Sequence, residues 1–214
     1  QTISFTPDSD TLDIVVQVSN FHHAKGGVRE PMRLGEPDGL IFKHNVAVTA
    51  NLILAGTLAL TTIVMLVIFA FVKQDRSILY FTALAFTWGL RSVFSNLYVF
   101  TSYFPDFPWE LGVKIEYISL YLVMIWAILF ISSLFKGEVN VLFKYLLCVC
   151  NGIFILVTIF FDASLYTQFL PVYLSFCAVL ILYVIYVLIR AFVYEREGVW
   201  LMVTCLSLSV VLFS

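Results

Sequence analysis

The stretch Val46-Ala-Val-Thr-Ala-Asn-Leu-Ile-Leu-Ala-Gly-Thr-Leu-Ala-Leu-Thr-Thr-Ile-Val-Met-Leu-Val-Ile-Phe-Ala-Phe-Val72 decides the fold. It carries no charge and is closed by Lys73-Gln-Asp-Arg76. A helix of about 20 apolar residues crosses the roughly 30 Å hydrocarbon core of a bilayer. This run is long enough, and it is followed by others like it. They are 78–101, closed by Tyr103-Phe-Pro-Asp-Phe-Pro-Trp109, then 111–135, closed by Lys136-Gly-Glu138, and 141–161, closed by Asp162. The fifth is 169–193, closed by Glu195-Arg-Glu-Gly198, and a sixth begins at Val199 and is still apolar at Ser214. Of the 214 residues 61% are apolar and 12% charged, with mean hydropathy +0.98. A soluble domain carries about 25% charged residues. The balance of 12 basic and 14 acidic residues also excludes a nucleic-acid binder, which needs a basic excess. The expected class is an all-α polytopic membrane bundle with six visible spans. The sixth is expected to be truncated at 199–214 and a seventh to follow.

The charges sort themselves by loop. Lys73, Arg76, Lys136, Lys144, Arg190 and Arg196 lie in or beside the connections after runs one, three and five. The connections 102–109 and 162–168 have no basic residue. Basic residues mark the cytoplasmic side. The N-terminal head and loops 102–109 and 162–168 are therefore expected outside, and loops 73–77, 136–140 and 194–198 inside.

Residues 1–45 hold 10 of the 26 charges and form a polar head. Leu12, Ile14, Val16 and Val18 alternate with Asp13, Gln17 and Ser19, the pattern of a half-buried strand. Residues 2–6 read as a second strand, and Gly26-Gly27 and Pro31 then break the chain. Two strands cannot bury a face alone, so the head is expected to be the end of a larger β domain. The division expected is 1–40 for the β part, 41–45 for a linker and 46–214 for the helices.

The segment Gln17-Val-Ser-Asn-Phe-His-His-Ala-Lys-Gly-Gly27, then Pro31-Met-Arg-Leu-Gly35, then a run of spans, resembles the bacterial seven-transmembrane receptors with diverse intracellular signalling modules. Asn20, Phe21, Gly26, Gly27 and Gly35 are the head residues that carry the likeness. The resemblance implies an extracytoplasmic jelly-roll-like sensor and a seven-helix membrane domain in the bacterial inner membrane. It implies a small-molecule or carbohydrate-like ligand outside and a signalling module in cis on the cytoplasmic side. Beyond the lipid bilayer, a homodimer would be a further partner. The residues themselves allow bland roles too: Asn20 can close a turn, and the glycines can supply positive φ.

Charges inside spans are rare and cost roughly 2.5–3.5 kcal/mol at a helix centre. Arg91, Lys114 and Glu116 are such charges. Glu110 precedes Lys114 by four residues, the favourable order for a helical ion pair. Arg91 and Glu116 are expected to meet in the outer half of the bundle. With Trp88, Asn96, Tyr117 and Tyr121 they form a packing clasp, a ligand or switch pocket, or an ion or proton path. The remaining chemistry is sparse. His22, His23 and His44 all lie in the head, and no HExxH occurs. Cys148, Cys150, Cys177 and Cys205 sit in apolar runs as small fillers. No metal set, cofactor motif or catalytic set is expected, and any enzymatic output would lie beyond residue 214. The alternative to a receptor is a transporter or channel subunit. It would call for helices broken at matching positions in an inverted repeat, and Pro171, at the start of run five, has no counterpart in run two.

Overall fold

The computed structural model describes residues 15–17, 35–72, 75–95, 100, 104, 106–196, 198–200 and 202–204. Six helices organise them: α1 Pro37–Phe71, α2 Arg76–Phe94, α3 Trp109–Leu134, α4 Val141–Phe160, the short α5 Ala163–Gln168, and α6 Leu170–Val193. All but α5 are long and apolar enough to cross a membrane. In a bilayer no water satisfies a backbone amide, so an apolar run of this length closes its hydrogen bonds on itself as a helix. Residues 199, 200 and 202–204 are again helical. The remainder of the sixth run lies outside the described residues, so the count of spans described in full is five.

Several boundaries differ from those expected. α1 starts at Pro37, so the supposed linker 41–45 is helix. Pro37 at the first turn has its φ preset and no amide to satisfy, and Asp38 complements the positive helix end. At 35 residues α1 is ~52 Å long, longer than the hydrocarbon core. α2 ends at Phe94 rather than near Thr101. Ser95 turns extended, and the chain folds back so that Phe94 packs on Phe100 and Phe107 with centroids 4.9 and 5.9 Å apart. The 162–168 connection, expected as a plain loop, coils into α5. No strand occurs among the described residues. Of the expected head strands only 15–17 are described, as non-regular chain, and Asn20, Phe21, Gly26 and Gly27 lie outside the described residues. Gly35 sits in a bend two residues before α1.

Consecutive long helices α1, α2, α3 and α4 pack in order, each on the next. α1 and α2 approach closely at Gly89, where an added Cβ would stand 3.3 Å from the Leu58 Cβ. Small residues allow this in membranes, where packing rather than water exclusion joins helices. α2 is accordingly reversed in polarity. Ser77, Thr82, Ala85, Thr87 and Gly89 are buried, while Leu79 and Phe86 face outward. The buried threonine hydroxyls are satisfied within their own helix: Thr82 donates to the Ile78 carbonyl and Thr87 to the Ala83 carbonyl, both at 2.7 Å.

α3 is the central helix. Near the 135–140 turn its Ile128 and Ile131 join Leu147 of α4 and Leu180, Val187 and Ala191 of α6. Toward the other end Val113, Tyr117 and Tyr121 join Tyr166 of α5 and Tyr173 and Cys177 of α6. Val72 and Asp75, the 135–140 turn and residues 194–196 share one end of the bundle, called here the basic end. α5 and the 104–109 segment share the opposite end.

Candidate functional site: two polar nodes in the bundle

The Glu110–Lys114 pair forms as its spacing requires, at 2.8 Å across one helical turn. Arg91 and Glu116 meet differently. The guanidinium Nη1 donates to the backbone carbonyl of Glu116 at 2.8 Å, and Ser119 Oγ donates to the same oxygen at 2.9 Å. The ion pairs among the described residues are Glu110–Lys114, Glu138–Arg190 and Glu138–Arg196. The expected carboxylate–guanidinium pair is thus a charge-assisted bond to main chain. A carbonyl that accepts from its own helix keeps a second lone pair, and a side-chain donor can take it. Arg91 so binds α2 to the main chain of α3.

The other residues of that constellation part company. Trp88 is 48% exposed on the outer surface of α2. Asn96 lies outside the described residues. Tyr117 and Tyr121 are buried among aromatic rings rather than beside an open space. Tyr117 meets Tyr166 edge-on at 5.2 Å, and Tyr121 meets Tyr173 edge-on at 4.7 Å, the arrangement ring quadrupoles favour. The Tyr173 hydroxyl donates to Asn151 Oδ1 at 2.9 Å, and Asn151 Nδ2 donates to the Leu147 carbonyl at 2.8 Å. This buried polar chain ties α6 to α4 through the aromatic layer.

The second node lies at the basic end and was not anticipated. Glu138 is buried, with its side chain 3% exposed, between two arginines. Its Oε1 accepts from Arg196 Nη2 at 2.9 Å and from Nε at 3.2 Å. Its Oε2 lies 3.3 Å from Arg190 Nε. Local sequence builds both halves. Gly137, at φ +96°, makes the turn that sends Glu138 inward. On the other side α6 ends in a Schellman arrangement. The Arg196 amide donates to the Ala191 carbonyl at 3.0 Å, and the Glu195 amide to Phe192 at 3.1 Å, with Glu195 left-handed at φ +48°. That reversal brings Arg196 back under the end of α6. Arg190 also lies over the Tyr186 and Tyr194 rings at 5.9 and 5.5 Å. Beside this node the Asn140 amide donates to the Tyr183 hydroxyl at 2.8 Å, a second bond between the 135–140 turn and α6. The signal in the sequence was a single acid in a short basic loop, which reads equally as a span terminator.

Together the nodes make a bundle cross-linked at both ends. Arg91 joins α2 to α3, the tyrosine layer joins α3, α4, α5 and α6, and Glu138 joins the α3–α4 turn to the exit of α6. A family model described as 7TM diverse intracellular signalling matches residues 48–214. The chain belongs to that family. It is a membrane signalling receptor of the seven-transmembrane kind, and the match covers α1 from residue 48 onward and the other long helices whole. No curated protein and no solved structure matches the chain. In this 7TM signalling domain the Glu138 node occupies the point where α6 leaves the bundle toward the residues that follow it.

Proposed function

We propose that this chain senses a ligand through an N-terminal head on the outer face of the bacterial inner membrane. It then passes a change of helix packing to a signalling module on the cytoplasmic side. The basic end, with Lys136, Lys144, Arg190 and Arg196, is the cytoplasmic one in this reading. The ligand is a small molecule, with a carbohydrate as the first class to test. The observation that carries the proposal is the family match over the helical domain. The Glu138 node supports it, because a buried acid held by two arginines on another element is a contact with two discrete states, made or broken. A ligand can move such an equilibrium only by its differential affinity for the two states.

The test uses the full-length receptor in nanodiscs, with spin labels at Lys136→Cys and Glu195→Cys at the basic end. A panel of mono- and oligosaccharides is titrated while the distance distribution is recorded. A sugar that binds and shifts the distribution is the expected result. A sugar that binds the head and leaves the basic end unchanged would refute transmission through the bundle. Uptake of the same sugar into proteoliposomes would instead identify a transporter.

A further inference from the structure

At the basic end a cleft of about 390 Å³ opens between α2 and α4, above α3. Its rim carries Arg76 at the start of α2, Lys136 at the α3–α4 turn and Lys144 one turn into α4. Asp75 also stands on the rim, but its Oδ1 already accepts from the Ser77 amide at 2.9 Å and the Ser77 hydroxyl at 2.7 Å. Ser132 and Ser133 of α3 face the cleft, and Tyr80 and Leu129 line it below the ionic rim. The ion pairs among the described residues use none of these three cations. Three cations therefore share one small mouth with one carboxylate, a local excess of two positive charges. Asp75 offsets one of these charges, Lys136 being among the groups that lower its pKa; the two positive charges in excess repel one another, and an anion relieves that repulsion. The position narrows the class of anion. The rim lies where apolar helices end and the headgroup layer begins, and basic pockets between helices at that level take phosphate headgroups. Beneath the rim, the Tyr80 ring and Leu129 offer an amphipathic and apolar wall of the kind a glycerol backbone and the start of an acyl chain meet.

We propose that this cleft binds the phosphate headgroup of an anionic phospholipid. Arg76, Lys136 and Lys144 hold the phosphate charge, and the hydroxyl of Ser132 is within the same wall to donate to its oxygens, while that of Ser133 is spent on the Phe130 carbonyl at 2.7 Å. The lipid would fill the gap between α2 and α4 and brace both against α3, independently of what the receptor senses.

The test is lipid binding to the purified full chain in mild detergent by native mass spectrometry, with phosphatidylglycerol, phosphatidylcholine and inorganic phosphate as probes. Phosphatidylglycerol should bind roughly 100-fold more tightly than phosphatidylcholine, whose choline cancels the phosphate charge. Each basic residue near a phosphate layer contributes about a fivefold factor, so R76Q/K136Q/K144Q should weaken phosphatidylglycerol roughly 100-fold and leave phosphatidylcholine unchanged. Lys114→Gln, at the opposite end, should keep the preference, and so should K136R/K144R. If the triple variant loses cooperative unfolding, Lys136→Gln and Lys144→Gln singly carry the test, each with a loss of about fivefold. Unchanged affinity in those variants, or an equal loss in Lys114→Gln, overturns the proposal. Displacement of the lipid by inorganic phosphate at matched concentration would also overturn it and identify a site for the free ion.

Discussion

Glu138 and Arg196, 58 residues apart, share one carboxylate oxygen between two guanidinium nitrogens, at 2.9 and 3.2 Å. The exposure is lopsided: the Glu138 side chain is 3% exposed and that of Arg196 50%. Arg190, the second partner, is 40% exposed. The acid is committed to the protein interior, while each arginine can turn to water or headgroups if released.

This asymmetry predicts unequal mutational costs. R190A/R196A leaves a buried carboxylate alone and should cost ~3–5 kcal/mol. Glu138→Gln leaves two half-exposed cations with an outlet and a neutral acceptor in place, and should cost about 1 kcal/mol. Thermal unfolding of the detergent-purified variants measures both. Equal losses would show that Glu138 is not the buried partner.

Tyr173 and Asn151 predict a double-mutant signature. Tyr173→Phe removes the donor and leaves the Asn151 Oδ1 buried without it, at a cost of about 1–3 kcal/mol. Asn151→Leu added to Tyr173→Phe should recover part of the loss, since no unsatisfied oxygen remains. The same unfolding assay decides, and strictly additive losses would contradict the bond.

Asp75 predicts a pH dependence. It caps α2, and the Ser77 hydroxyl and amide hold its carboxyl below its ordinary 3.8. An acid with a depressed folded pKa binds its proton more weakly when folded. Its stabilisation is therefore complete above about pH 5, fades through 3.8 and is gone below the folded value. At pH 6 Asp75→Ala should cost about 1 kcal/mol, a usual figure for losing a cap. Melting curves of the two proteins from pH 6 down to pH 2 should converge. A constant gap across that range would mean that the charge plays no part.

Orientation can be measured directly. Ser164→Cys, on the exposed side of α5, should react with an impermeant maleimide on whole cells, and Lys136→Cys only after permeabilisation. Among the described cysteines Cys177 is buried and Cys148 and Cys150 are half-buried, and the unsubstituted protein, which also carries Cys205, provides the background rate. The reverse labelling pattern would invert the topology and place the basic end outside.

The span positions were legible in the chain because hydrophobic length is a local property. A run without charge must bury its backbone polarity in itself, whatever its neighbours are, so α3, α4 and α6 fall within two residues of their expected bounds. Glu110–Lys114 was legible for the same reason, since helical spacing alone brings the pair together. The end of α2 was not, because Ser95 becomes extended where Phe94 is capped by rings from beyond the turn. The start of α1 was missed because Lys43, His44 and Asn45 interrupt hydropathy without interrupting helix propensity.

What the sequence by itself determined is therefore a set of membrane helices, their order and the bias of charge toward alternate loops. Only tertiary structure decided which polar atoms meet. Arg91 found the Glu116 carbonyl rather than its carboxylate, because helix separation and rotation set the reach of a side chain and neither is written in periodicity. Trp88, three residues from Arg91, faces outward because the rotation of α2 is fixed by the close approach at Gly89. Glu138 meets Arg190 and Arg196 because a left-handed glycine and the reversal at Glu195 aim two remote segments at one point. Such a meeting depends on distances in space between residues far apart in the chain, and those distances exist only once the helices have packed.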